Sequence, residues 1–381
     1  MDSLKDKIMN HALNRLCVAA GLALTCLIPT YAANLKQLTL QATGGVELTP
    51  AFSPDRRTYQ VAVQSDISSI QVQALADGTD AAVSITVNGK LLETKPSMQA
   101  PLNTGSNSIH VRVDSNDYEI TVTRQDVSAV TAKFLKLTFT DTATGVAMPY
   151  RLYVPEKMAQ GQKYPLVVFL HGGGERGSDN EKTLTANQGG TVWAMPEEQA
   201  KHAAFVLVPQ AREVWDGGFG VTRNPQNEIS LGKVFTLAED TKSAHKLLMK
   251  VLQDYPQIDQ QRLYAVGLSQ GGFGVWGWNT AYPDLFAAIV AMCSGADPQT
   301  VGVLRNKPIW AFHAASDPVI PVDYSRQSVK ALRDLGSKVR YTEYPADTYF
   351  YPMAHFSWVP TLRNKEMRDW LFEQKKSEGI K

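Results

Sequence analysis

The sequence predicts two folded units in series: a small all-β sandwich, then an α/β unit with a mainly parallel sheet flanked by helices. Three observations carry this. Residues 34–124 hold only short alternating apolar runs separated by Gly, Pro, Asn and Asp clusters, with no helical period. From Lys133 onward apolar strands alternate with helical patterns, which implies parallel strands joined by right-handed crossovers. Within that second unit, the apolar run Leu263–Val266 ends in Gly267-Leu268-Ser269-Gln270-Gly271 and opens into a small-residue helix pattern. Strand, tight turn and helix in that order form the setting of a nucleophile elbow.

Residues 1–32 come first. Lys5, Lys7 and Arg15 make a basic start, Leu16–Ile28 is an apolar run too short to span a bilayer well, and Pro29-Thr30-Tyr31-Ala32 ends in small residues. This reads as a cleaved export signal with processing after Ala32, and so a periplasmic or secreted chain with no membrane contact afterwards. An uncleaved anchor and a lipoprotein cut at Cys26 are the alternatives; Ala23-Leu24-Thr25 suits the latter poorly. Cys17 and Cys26 leave with the signal. Cys293 then stands alone in an apolar run, so the mature chain has no internal disulfide and Cys293 reads as a small buried hydrophobe. The chain has 381 residues, 44% of them hydrophobic and 20% charged, with a net charge of +1. That balance speaks against nucleic acid as a partner.

The sandwich, residues 34–124, shows strand-like runs at Leu35–Leu40, Tyr59–Val63, Ile70–Ala74, Val83–Val87, Ile109–Val113 and Tyr118–Val122. Asn88-Gly89 and Asn116-Asp117 suit tight hairpins. The stretch from Leu48-Thr49-Pro50-Ala51-Phe52-Ser53-Pro54 with Tyr59, through Val87-Asn88-Gly89 and Pro101–Ile109, to Tyr118–Arg124 resembles the cadherin-like β-sandwich modules of bacterial exported proteins. The resemblance implies a fold and little about a ligand, and no acidic spacing suggests calcium. The module is read as a spacer or stabilising cap, with glycan binding as the alternative. Residues 125–132 read as a linker, and residues 133–381 as a catalytically self-sufficient unit.

In the second unit, Phe134–Thr140 and Ala147–Val154 read as leading strands, and Pro165–Leu170 as a strand buried on both faces. Further strands are expected at Phe205–Val208, Ala287–Met292, Pro308–Phe312 and Val339–Tyr344, and helices at Leu237–Leu252, from Gly271, over Val322–Leu335 and from Arg363 to Lys375. The long loops 175–193 and 211–231 are expected to wall a cleft.

Chemistry gathers at the strand ends. Ser269 is the candidate nucleophile, and the N–H of Gln270 opens the next helix facing the developing oxyanion. His171-Gly172-Gly173-Gly174-Glu175-Arg176-Gly177 follows the buried strand, and its glycines let a second N–H turn toward the nucleophile: Gly173 first, Gly174 second. His171 reads as a structural loop residue, and the motif lacks the Gly-Lys-[Ser/Thr] ending of a phosphate loop. Asp317, just past the strand Pro308–Phe312, is the candidate acid. His355 is the one histidine that follows it, and is the candidate base. His313 lies four residues from Asp317 and is read as too close in sequence to face it across the site. The order Ser269, Asp317, His355 is the α/β-hydrolase order.

At these residues the chain is similar to a known family. Residues 133–381 resemble exported carboxylesterases of the predicted-peptidase and feruloyl-esterase-like kind, related to phospholipase/carboxylesterases and polyhydroxybutyrate depolymerases. The motifs are 171–177, Val208-Pro209-Gln210 with Trp215, Ile258–Tyr264, Gly267–Gly272, Pro308–His313, Asp317–Pro321 and His355 with Trp358. The resemblance implies an α/β hydrolase and ester hydrolysis. Relatives usually carry Gly where this chain has Ala314 and Ala354, and Tyr349-Phe350-Tyr351-Pro352 makes the approach to His355 unusually aromatic.

The expected function is therefore a secreted serine carboxylesterase acting on small or polysaccharide-linked esters, including acyl or feruloyl esters of plant polysaccharide, with no metal or cofactor. Trp215, Tyr351, Phe356 and Trp358 are the candidate substrate-binding residues. A serine peptidase on the same machinery, and a catalytically silent glycan-binding protein, are the other readings.

Overall fold

The computed structural model describes residues 33–376, apart from 79–80, 93–96, 215–216, 221, 224–228, 231–234 and 236. The export reading of residues 1–32 and the assignment of Trp215 lie outside the described residues.

The first unit is a sandwich of two sheets. β1 (Leu35–Gln41), β3 (Ser69–Ala76) and β6 (Ser97–Pro101) form one sheet; β2 (Thr58–Val63), β8 (Asn116–Arg124), β7 (Gly105–Val113), β4 (Val83–Val87) and β5 (Lys90–Leu91) form the other, in that order. The alternation has its expected cause: along β7, Ile109, Val111 and Val113 are buried while the residues between them are less so. Asn88 and Gly89 both take positive φ and close the β4–β5 hairpin. The β7–β8 turn differs from expectation. Val113 pairs with Asn116, so the turn is Asp114-Ser115, and Asp114 takes the positive φ. Asp tolerates that conformation as Asn does, which hid the two-residue offset.

Residues 125–132 are not extended. Ser128–Thr131 forms a helical turn that buries Val130. An eight-stranded sheet follows, built from β9 (Leu135–Thr140), β10 (Ala147–Tyr153), β11 (Tyr164–Leu170), β12 (Phe205–Pro209), β15 (Ile258–Leu268), β16 (Ala288–Met292), β17 (Ile309–Ala314) and β18 (Arg340–Tyr344); β13 (Thr222–Arg223) and β14 (Ile229–Ser230) form a separate small hairpin. The order across the sheet is β9-β10-β12-β11-β15-β16-β17-β18. β9, β10 and β12 pair antiparallel, and every pairing from β12 to β18 is parallel. β11, β12 and β16 are buried at every position, as strands covered on both faces must be.

Helices α1 (Glu239–Asp254), α2 (Gln270–Ala281), α3 (Asp323–Asp334), α4 (Trp358–Arg363) and α5 (Lys365–Glu373) flank the sheet. The closing helix expected from Arg363 begins at Lys365, because Asn364 leaves helical geometry and its side chain accepts the N–H of Met367 as an N-cap; the short helix α4 before it was not expected. One apolar cluster runs from the sandwich core to the sheet face under α4 and α5, so the two units share packing. No helix among the described residues is long and apolar enough to cross a membrane.

Candidate active site

β15 delivers Ser269 to the end of the sheet. Its φ of 52° and ψ of −119° are strained for a residue with a side chain. The surrounding backbone holds it there: the Ser269 N–H donates to the Met292 carbonyl at 2.9 Å, and α2 starts at once with Gln270. The flanking glycines are steric requirements. A Cβ on Gly271 would stand 2.0 Å from the Leu170 carbonyl oxygen, and one on Gly267 would stand 2.3 Å from that of Gly271.

Asp317 follows β17. Its Oδ1 accepts the N–H groups of Val319 and Ile320 at 2.8 and 3.0 Å, which fixes the carboxylate plane. His355 sits on a short 3-10 turn, Ala354–Ser357. Its Nδ1 lies 2.7 Å from Asp317 Oδ2 and its Nε2 lies 3.0 Å from Ser269 Oγ. The three residues thus form one hydrogen-bonded line from carboxylate to hydroxyl. Burial works to raise the Asp317 carboxyl, but hydrogen bonds from His313 and His355 outweigh it and hold it well below the usual carboxylate range.

Two neighbours add to the sequence reading. His313 Nε2 lies 3.0 Å from the Ile320 carbonyl oxygen and 3.2 Å from Asp317 Oδ2, because the chain turns sharply after β17. It approaches from the buried side, its Nδ1 is held by Ser325 Oγ at 2.8 Å, and it is fully buried. Cys293 is buried as expected, yet it is more than apolar filling: its Sγ lies 3.2 Å from the His355 carbonyl oxygen and 2.9 Å from Ser357 Oγ. Burial pushes that thiol far up, so it stays protonated.

A cavity of about 220 Å³ opens over Ser269 and His355. Gly172, Gly173, Gly174 and Gln270 line one side, and Leu268, Val319, Ile320, Phe356 and Trp358 supply apolar surface, with Asn187 at the edge. The Trp358 ring meets the His355 ring edge-on at 5.1 Å. Of the substrate-binding candidates, Phe356 and Trp358 line this cavity. Tyr351 does not: its backbone N–H and carbonyl bond to Thr43 of the sandwich, which turns the residue to the interface. Trp193, Phe219 and Trp276 are core residues.

The glycine loop is braced from below. His171 is fully buried; its Nδ1 donates to the Gly172 carbonyl at 2.7 Å and its Nε2 accepts the Ala211 N–H at 2.9 Å. Burial lowers its pKa to about 4, so it stays neutral and structural, as expected. Glu175 is fully buried and its Oε2 accepts the Gly172 N–H at 2.9 Å. Burial raises its carboxyl to about 7, against the opposing effects of hydrogen bonds from Asn187 and Gly172. The Gly173 carbonyl is taken by Arg176 Nε at 3.0 Å. Sequence reasoning missed Asn187, Val319 and Ile320 as lining residues and Glu175 as the brace. Val319 and Ile320 lay inside a quoted motif; Asn187 had no local signal.

A family model described as a putative esterase matches residues 142–347, and one described as a cadherin-like beta sandwich domain matches residues 35–125. The chain is similar to a crystal structure of a thermostable esterase, at 30% identity and a TM-score of 0.62, covering 83% of this chain and 99% of that one. A ferulic acid esterase of Anaeromyces mucronatus, solved with ferulic acid, is 13% identical with a TM-score of 0.44, covering 61% of this chain and 89% of that one. No curated protein matches the chain significantly.

Proposed function

Because the chain belongs to the putative esterase family and is a serine carboxylic ester hydrolase, we propose that Ser269, His355 and Asp317 carry out hydrolysis through an acyl-enzyme. Ser269 Oγ attacks the ester carbonyl carbon while His355 Nε2 takes its proton. The tetrahedral intermediate collapses, the C–O bond to the alcohol breaks, and His355 returns the proton to the leaving oxygen. Water, deprotonated by His355, then attacks the acyl-enzyme and releases the acid and free Ser269. Asp317 holds the imidazole tautomer and stabilises the imidazolium.

The observation that carries this reading is the unbroken line Asp317–His355–Ser269 at 2.7 and 3.0 Å. The Gln270 and Gly173 N–H groups are the proposed oxyanion donors, with Gly174 beside them. Gly172 is excluded because Glu175 occupies its N–H. Its carbonyl faces His171, so across the planar trans peptide the Gly173 N–H points the opposite way.

The 220 Å³ cavity and its apolar wall suit a short acyl or feruloyl group. We further propose export with loss of residues 1–32. Replacing Ser269, His355 or Asp317 by Ala, with p-nitrophenyl acetate as substrate, should lower kcat on the order of 10³-fold or more, with losses that do not add. A fluorophosphonate should label Ser269. An active Ser269→Ala variant would refute the mechanism. Acetyl, butyryl, feruloyl and peptide substrates compared side by side would assign the acyl preference.

A further inference from the structure

His355 is reached by an irregular stretch. Residues 345–353, between β18 and its 3-10 turn, form no helix or strand. Such a segment needs outside contacts to hold an imidazole in place, since a misplacement of about 1 Å can cost on the order of 100-fold in rate.

The sandwich supplies those contacts. Thr43, 2% exposed, accepts the Tyr351 N–H at 2.7 Å and donates to the Tyr351 carbonyl at 3.3 Å, four residues before His355. On the far side of His355, at the end of α4, Arg363 Nη1 donates to the Thr43 carbonyl at 3.0 Å and Nη2 pairs with Asp66. The fit is tight: Gly44 has a φ of +81°, and a Cβ there would stand 2.7 Å from Arg363 Nη1. Both ends of the segment that carries His355 and Trp358 are therefore tied to one turn of the sandwich.

A second tie reaches the opposite wall. Ser65 bonds to Gln188, the residue after Asn187, and Asn187 lines the cavity beside the glycine loop. At the junction of the units Asp66 pairs with Arg363, and nearby Arg368 pairs with Glu198 at 2.7 Å.

We propose that the β-sandwich positions the catalytic machinery, with Thr43 as the positioning residue for the His355 segment and Ser65 as a secondary tie to the cavity edge at Asn187. This rests on the assignment of His355 as the base, and it departs from the expectation that residues 133–381 suffice for full activity. Thr43 touches no reacting atom; it acts by fixing Tyr351.

The test uses the full chain. Thr43→Val keeps the shape and removes the hydroxyl; Thr43→Ser keeps the hydroxyl. On p-nitrophenyl acetate, Thr43→Val should lose kcat by about tenfold with KM within about twofold, and Thr43→Ser should stay near wild type. The fluorophosphonate labelling rate of Ser269 should fall in step with kcat. Val111→Ala, a cavity in the sandwich core at a residue outside the Thr43 and Ser65 ties, controls for stability: it should lower the melting temperature and leave kcat intact below it. If Thr43→Val does not fold, Thr43→Ala takes its place. Wild-type kcat in the hydroxyl-free variant, a Thr43→Ser variant as slow as it, or an equal kcat loss in Val111→Ala would overturn the proposal. A wild-type protein without esterase activity would instead overturn the functional reading beneath it.

Discussion

His313 Nε2 and His355 Nδ1 meet on the same oxygen of Asp317, at 3.2 and 2.7 Å. One histidine faces the proposed nucleophile, and the other lies behind the carboxylate, pinned by Ser325 and the Ile320 carbonyl. Asp317 is thus contacted from two sides, while the Val319 and Ile320 N–H groups hold its other oxygen. His313→Ala should lower kcat by about tenfold, far less than Asp317→Ala, because the carboxylate remains but is less well aimed. Steady-state kinetics on p-nitrophenyl acetate decides it, and equal losses in the two variants would mean that His313 acts on the reaction directly.

Glu175 makes stability fall as pH rises. Its folded pKa of about 7 lies above its ordinary 4.5, chiefly through burial. Its contribution is fully present below pH 4.5, declines as pH climbs toward 7, and is gone above that. The shift bounds the loss at about 3 kcal/mol. Glu175→Gln, which can still accept the Gly172 N–H, lacks this slope. Urea unfolding from pH 4.5 to 8 should show the wild type losing ground to the variant by up to that amount, and parallel curves would show that Glu175 does not titrate there.

Phe356 stands half-buried in the wall of the acyl cavity. Phe356→Ala should reduce kcat/KM for p-nitrophenyl butyrate by about tenfold and for the acetate by about twofold, because only the longer chain loses apolar contact. An unchanged ratio of the two would move the acyl group elsewhere in the cleft.

Export is checked at the N-terminus. Protein recovered from periplasm or medium should begin at or near Ala33, by Edman degradation or mass spectrometry. Recovery of that fraction with Met1 intact would contradict the cleaved-signal reading.

What could be read from the sequence follows from where each residue takes its orders. Ser269, Asp317 and His355 each follow a recognisable strand or sit in a short motif, so local pattern and chain order were enough to bring them to notice. Tyr351 misled because its side chain suggested a pocket, while the structure uses its backbone. Thr43 matters only through a contact with Tyr351, 308 residues away, and no local periodicity records it. Asn364 shows the same limit at small scale: the helical pattern was read from 363, but a cap that needs one residue out of helical geometry moves the start to Lys365. His313 was set aside on sequence distance alone, a criterion that a sharp turn after a strand defeats.

The positive φ of Ser269 reverses an ordinary preference. In regular backbone Ala is more stable than Gly; at position 269 the strain that any Cβ suffers should put Ser269→Gly above Ser269→Ala by about 1 kcal/mol, although neither has a nucleophile. Thermal melts of the two inactive proteins would measure that inversion directly, and an Ala variant at or above the Gly one would mean the turn is relaxed. If the inversion holds, drift without selection for hydrolysis would favour glycine at this position. The serine persists there against the stability of its own backbone, which makes residue 269 a sensitive marker of whether a descendant of this chain still works as an enzyme.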